Sequence, residues 1–275
     1  GNFDNAQSGV KQMFEDQELA KELADKGYQF SSANSINIGR LVPQVAYYVY
    51  AYTKLLANGE IKDGEKINVV VPTGNFGNIL AAYYAKNLGV PIAKLICASN
   101  DNKVLYDFFQ TGTYDKNREF VLTTSPSMDI LISSNLERLI YLICGEDSEK
   151  TKELMEELKT TGKYTITLEM KEKLADFAAG YSTEEETAES IHDTYQKTGY
   201  VMDTHTAVAA HVCGQYRAKS GDQTKCVIAS TASPYKFVKS VMSAIDAENA
   251  NADEFDLLPK LQEVSGVPMP QAIKD

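Results

Sequence analysis

Ile67-Asn68-Val69-Val70-Val71-Pro72-Thr73-Gly74-Asn75-Phe76-Gly77-Asn78 is the stretch from which the rest of the chain can be read. Its first five residues are β-branched and apolar nearly throughout, the pattern of a short strand covered on both faces. The glycine loop after them leads into a helix over 79–88, then Gly89 and Pro91 as punctuation, then a second apolar run over 92–98. That is a strand–helix–strand unit. Further on, a helix over 103–109 leads into the apolar run Phe120-Val121-Leu122, and Cys226-Val227-Ile228-Ala229 precedes a helix over 236–245. Strands alternating with helices predict an α/β fold, a layered parallel sheet with helices on both faces and right-handed crossovers.

Upstream of this unit, residues 4–27 read as one amphipathic helix with Val10, Met13, Phe14, Leu19 and Leu23 on a stripe and Gly27 as its stop. After a polar linker, 40–56 reads as a long, mostly buried helix with Leu41, Val45, Tyr48, Tyr52 and Leu55 at helical spacing and Pro43 in the first turn. Between 146 and 198 the composition turns charged and helical, including the run Glu184-Glu185-Glu186, which predicts a solvated helical insertion.

With 27 basic against 38 acidic residues, the formal charge of −11 disfavours non-specific attraction to nucleic acid or anionic lipid, so any anion must be held locally. No apolar run approaches a membrane span. Cys97, Cys144, Cys213 and Cys226 are far apart and only three histidines are present, so neither a disulfide framework nor a metal site is signalled and a reducing cytoplasm is expected. The opening Gly1-Asn2-Phe3-Asp4 carries neither Met nor leader and reads as a cut through a longer protein.

Three segments could carry chemistry. Gly74, Asn75, Phe76, Gly77 and Asn78 sit directly between a strand and a helix, where two glycines let the backbone turn so that amides converge and the helix adds its positive dipole end. The product is a phosphate cradle, or alternatively a plain strand-to-helix turn. It is neither the dinucleotide glycine pattern nor a P-loop. Ser230-Thr231-Ala232-Ser233-Pro234 stands at the carboxyl end of the last apolar strand, where ligands of open α/β sheets gather, or else it caps the next helix. Asn34-Ser35-Ile36-Asn37-Ile38-Gly39-Arg40 ends in an arginine at a helix start, unfavourable against the dipole unless an anion is near, or else a solvated turn. His205 follows the capping residue Asp203 and reads as structural, while His192 and His211 lack ligand partners at metal spacing.

In order along the chain, these segments resemble the threonine synthase family of pyridoxal-phosphate enzymes. The resemblance runs through Gly1-Asn2-Phe3-Asp4-Asn5-Ala6-Gln7, Asn34-Ser35-Ile36-Asn37 with Arg40 and Gln44, and Thr73-Gly74-Asn75-Phe76-Gly77-Asn78. It continues through Ser127-Met128-Asp129-Ile130, Ser134-Asn135-Leu136-Glu137-Arg138, His205-Thr206-Ala207-Val208 and Ser230-Thr231-Ala232-Ser233-Pro234-Tyr235-Lys236-Phe237. It implies the tryptophan-synthase-β-like fold (fold type II), with 1–33 left over from a smaller domain and 34–275 the large cofactor-binding domain. The implied reaction converts O-phosphohomoserine and water to threonine and phosphate, with the cofactor as electron sink. Gly74 through Asn78 would hold the cofactor phosphate and Thr231 the pyridine nitrogen, while Asn34, Ser35 and Arg40 would contact the substrate phosphate.

The family's cofactor-bearing lysine lies upstream of the Gly-Asn-Phe-Asp segment, so this chain is expected to hold no catalytic residue of its own and to be inactive without an N-terminal part. Lys62-Asp63 sits in a charged turn and is set aside. Two alternatives stay open. One is another lyase of the same fold, such as threonine dehydratase. The other is a non-catalytic phosphate- or nucleotide-binding module, although Asp101, the only carboxylate after the second strand, reads as a helix cap rather than a ribose ligand.

Overall fold

All six residues of β1 (Ile67–Pro72) are buried, and alternate side chains enter different cores. Ile67, Val69 and Val71 face one apolar cluster and Val70 faces another, as a strand with both faces covered requires. The computed structural model describes residues 9–274 other than 11 and 15. The expected motif over 1–7 therefore lies outside the described residues.

β1 pairs in parallel with β2 (Ile92–Ser99) on one side and with β6 (Cys226–Ile228) on the other, and β2 pairs in parallel with β5 (Phe177–Tyr181). The order is β5-β2-β1-β6. A separate two-stranded antiparallel ribbon joins β3 (Thr113–Asp115) to β4 (Lys163–Thr165). On one face of the main sheet, Ile79, Leu80 and Ala82 of α4 (Gly77–Asn87) pack with Leu105 and Phe108 of α5 (Val104–Thr111) and Leu139 and Ile140 of α6 (Leu136–Ile143). On the other, Val208, Ala209 and Val212 of α10 (Thr204–Ser220) lie against Val70, Ile96 and Ala98. A third cluster joins Ile191 of α9 (Glu184–Thr198) to Val241 of α11 (Val238–Ile245) and Leu257 and Leu261 of α12 (Glu254–Ser265). Helices thus cover both faces of a parallel sheet, as expected.

Four expectations differ. Residues 4–27 do not make one helix: Asp16 is extended and its carboxylate accepts from the Leu19 amide, capping a fresh helix, α1 (Gln17–Asp25), which has no buried residue. The helix over 40–56 is divided into α2 (Ile38–Leu41), a 3₁₀ turn Val42–Gln44 that contains Pro43, and α3 (Val45–Ala57). It is not mostly buried either, since Tyr48 and Tyr52 are covered while Tyr47 and Tyr50 are 59% and 63% exposed. Phe120-Val121-Leu122 forms no strand. Finally, the segment 146–198 contains the charged helices α7 (Ser148–Thr161) and α9 but also β5, an integral strand of the main sheet.

Candidate functional site

The loop after β1 is shaped by one strained residue and two close approaches. Phe76 is left-handed, with φ 62°, and is the residue before α4. A non-glycine residue in this region costs about 1–2 kcal/mol, and here the ring is fixed in the core against Phe109 and Phe177 at 6.2 and 6.1 Å between centroids. The turn that the sequence assigned to the glycines therefore falls on Phe76. Gly74 and Gly77 serve contact instead: a Cβ on Gly74 would stand 2.3 Å from the Ser127 carbonyl oxygen, and one on Gly77 would stand 2.3 Å from Ser35 Oγ.

The first hydrogen bond of α4 runs from the Leu80 amide to the Phe76 carbonyl. The amides of Gly77, Asn78 and Ile79 precede it, so helix geometry provides them no acceptor, and no side chain caps this end. They border a cavity of about 210 Å³ lined also by Thr73, Gly74, Asn75, Ser35, Gln44 and Ser127. Unpaired amides at the positive end of a helix dipole, with glycine-thin walls, make an anion cradle.

Side chains from distant segments hold the walls. Asn135 Nδ2 donates to the Asn75 carbonyl at 2.8 Å and to Ser35 Oγ at 3.0 Å, while Ser133 Oγ donates to the Gly74 carbonyl at 2.7 Å. Arg138 donates to the carbonyls of Ser35 and Ile36 at 3.1 and 2.8 Å and to Asn135 Oδ1. The side chain of Asn78 is fixed by Gln44 Oε1, which accepts from its Nδ2 at 3.2 Å, and by the Tyr48 hydroxyl, which donates to its Oδ1. Burial pushes the Tyr48 hydroxyl pKa up, so it stays a donor.

Residues 206–274 match the family model described as "Threonine synthase, C-terminal". "Threonine synthase-like 1" from Pongo abelii is 43% identical over 270 residues, 97% of this chain and 36% of that protein's length. The solved "PLP bound Threonine synthase" from Brucella melitensis superposes with a TM-score of 0.77 at 41% identity, covering 89% of this chain and 50% of that one. The yeast threonine synthase crystal structure gives 0.78 at 36% identity, covering 98% and 54%.

The chain belongs to the threonine synthase family.

It spans half or less of the first two of these proteins and about half of the third. Its fold is that of the fold type II threonine synthase structures, and the resemblance read from the sequence segments holds.

The family's expected residues occupy different positions relative to the cavity. Gly74 through Asn78 and Ser35 line it. Asn34 does not; its Oδ1 accepts from the Ile36 amide and from Ser32 Oγ in a local turn. Arg40 is exposed at the first turn of α2 and also stands outside the lining. Thr231 is exposed beyond the end of β6, and Ser233 rather than Thr231 caps the following turn, its Oγ accepting from the Tyr235 amide. Lys62 is exposed in the turn before β1, and no lysine is among the lining residues. Asp101 does not cap α5: Lys103 occupies that position, and Asn100 Oδ1 instead accepts from the Asn102 amide.

Ser127 and Asn135 carried no expected role and His205 read as structural, although all three fall in the family-ordered segments. His205 is buried, with Nε2 accepting from the Ser127 amide at 3.2 Å and Nδ1 lying 3.2 Å from Asp203 Oδ1. Burial alone would raise the Asp203 pKa, yet hydrogen bonds from His205 and Thr206 outweigh it and the carboxyl lies below its usual range. His192 is exposed on α9, and His211 lies 3.5 Å from Glu186.

Proposed function

We propose that this chain is the part of a threonine synthase that receives the phosphate of pyridoxal 5'-phosphate, and that the whole protein converts O-phosphohomoserine and water to threonine and inorganic phosphate. The observation that carries the reading is the cavity at the start of α4, where the amides of Gly77, Asn78 and Ile79 meet two glycines at which any Cβ would intrude on the walls. The residues present fit the group. An acidic molecule that must hold a phosphate dianion locally does so best with backbone amides and a helix dipole.

When bound, pyridoxal phosphate supplies an electron sink for carbanion chemistry on an amino acid. The chain's own residues bind and orient. Gly74 through Asn78 hold the phosphate, and Asn135 keeps Ser35 at the cavity wall. Thr231 stands past the end of β6, the neighbour of β1, where a neutral hydroxyl can hydrogen-bond a pyridine nitrogen without protonating it. Asn34 and Arg40 bracket Ser35 in sequence, and an arginine fork suits a substrate phosphate ester. No lysine lines the cavity among the described residues, and the family resemblance places the cofactor-bearing lysine in a segment upstream of the motif over 1–7. Turnover then needs that N-terminal part, and a reducing cytoplasm suits the four free cysteines.

Titration of this chain with pyridoxal phosphate and with inorganic phosphate, followed by NMR, tests the assignment. Shifts centred on the amides of residues 73–79 with either ligand, joined by Thr231 with pyridoxal phosphate alone, support it, and shifts that leave 73–79 unmoved overturn it. Borohydride should trap no single lysine, and O-phosphohomoserine should release no phosphate. Specific labelling of one lysine together with phosphate release would place the catalytic residue in this chain after all. Ammonia release from threonine by the whole protein, in place of phosphate release, would mark a dehydratase.

A further inference from the structure

The imidazole of His205 is only 2% exposed, and the groups around it fix its proton. Nε2 faces the Ser127 amide, which can only donate, so Nε2 must carry the lone pair. Nδ1 faces two oxygens. One is Asp203 Oδ1 at 3.2 Å; the other is Thr204 Oγ1 at 3.4 Å, whose own proton is directed to the Thr124 carbonyl at 2.7 Å. Both sides of the ring therefore select one species, the neutral Nδ1–H tautomer.

Two loops meet on that ring. Ser127 lies in the 3₁₀ turn Pro126–Met128 and lines the cavity, and its carbonyl is the group that a Cβ on Gly74 would strike. The other face of the ring packs on Phe237 at 4.9 Å between centroids, within the segment that begins at Ser230 and Thr231. Next along α10, Thr206 Oγ1 gives its proton to Asp203 Oδ2 and can accept from Ser230 Oγ at 3.2 Å. The turn that walls the loop after β1 and the loop after β6 thus share one buried contact.

We propose that His205, fixed as the Nδ1–H tautomer by Asp203, is a positioning residue for the phosphate cavity, setting the Ser127 wall against Gly74 and holding that wall in register with the Thr231 loop. This rests on the reading of the cavity as a phosphate site, and the measurements separate the two. In ¹⁵N NMR of this chain near neutral pH, the His205 Nε2 should give the signal of an unprotonated ring nitrogen and Nδ1 that of a protonated one. The reverse pattern overturns the proposal whatever the cavity binds.

His205→Phe keeps a ring on Phe237 but leaves the Ser127 amide without its acceptor, whereas His205→Gln restores an acceptor at the Nε2 position. Exchange protection of the Ser127 amide should be lost in the first variant and kept in the second, with or without phosphate. Inorganic phosphate should bind about tenfold more weakly to His205→Phe, because the Ser127 wall must be re-ordered when phosphate enters, and to His205→Gln about as well as to the parent. Equal phosphate affinity in His205→Phe and the parent overturns the positioning role. If the parent itself binds no phosphate, the cavity reading fails while the exchange result still decides the role of His205. Should His205→Phe not fold, the ring-nitrogen signals and the His205→Gln exchange decide alone.

Discussion

A methyl group at position 74 has nowhere to go. The atom it would meet is a backbone carbonyl oxygen, Ser127 O, and backbone gives way only if its turn moves. Gly74→Ala should therefore lower stability by about 1–3 kcal/mol, the usual cost of overpacking, read as a lower midpoint in thermal unfolding. Position 77 differs because its obstacle is the side chain of Ser35, held by Asn135. Gly77→Ala should displace Ser35 and weaken phosphate binding more than it lowers the unfolding midpoint, and a variant that binds phosphate normally would contradict the cavity's described walls. Residue chemistry also singles out Cys226. The neighbouring Cys213 thiol, helped by Arg217, holds the Cys226 thiol below its ordinary value, while the same pairing pushes Cys213 up. Alkylation of this chain at pH 7 should thus mark Cys226 ahead of Cys97, which is fully buried with its thiol pushed up to about 12. Peptide mapping after brief iodoacetamide treatment checks the order.

At the scale of single elements, the entry of β6 into the sheet depends on one carboxylate. Asp222 accepts from the Thr224 amide at 2.9 Å, from Asn68 Nδ2 of β1 at 2.8 Å and from the Tyr216 hydroxyl at 3.0 Å. Hydrogen bonds from Thr224 and Asn68 hold its carboxyl well below the ordinary value. A depressed carboxyl contributes stability above the unfolded pKa of about 4, and that contribution is lost as pH falls through the folded value. Asp222→Asn should accordingly be less stable than the parent at pH 7, with the gap closing on acidification below pH ~4. Chemical denaturation across that range measures it.

Elements were legible where pattern and neighbours agreed. The strand over 67–71, the helices after it and the run over 92–98 all appear, because each buries its apolar letters in a contiguous core. Phe120-Val121-Leu122 had the letters of a strand without a partner to pair with. Val121 exchanges both of its backbone hydrogen bonds with the side chain of Asn102, and the Thr123 amide donates to buried Asp129, so side chains take the place of a neighbouring strand. Nothing in local spacing shows that. The break in the N-terminal helix was more accessible, since Asp16 three residues before Leu19 is an ordinary capping signal hidden inside an apolar periodicity.

For the whole molecule, legibility of the site follows sequence separation. The loop after β1 and its cavity could be read because its strand, glycines and helix are contiguous. Its buttresses could not: Asn135 reaches Ser35 across 100 residues and His205 reaches Ser127 across 78, contacts that exist only once the sheet order is known. The same architecture sets a gradient of stability. Hydrogen exchange should find the amides of β1 and β2, both flanked by strands and buried, among the slowest, and those of α1, which buries no residue, among the fastest. Slow exchange in α1 would mean that a surface not seen among the described residues covers it.

The sheet order also has a consequence for biosynthesis. β1 lies between β2, which is made almost at once, and β6, whose clamp from Asp222 to Asn68 joins residues 154 apart. Until the ribosome has delivered β6, one side of Val69-Val70-Val71 is an open edge of unpaired amides on an apolar, β-branched strand, the kind of template that recruits foreign strands. The stretch that announces the fold is thus also the stretch most in need of a chaperone while the chain is still being made.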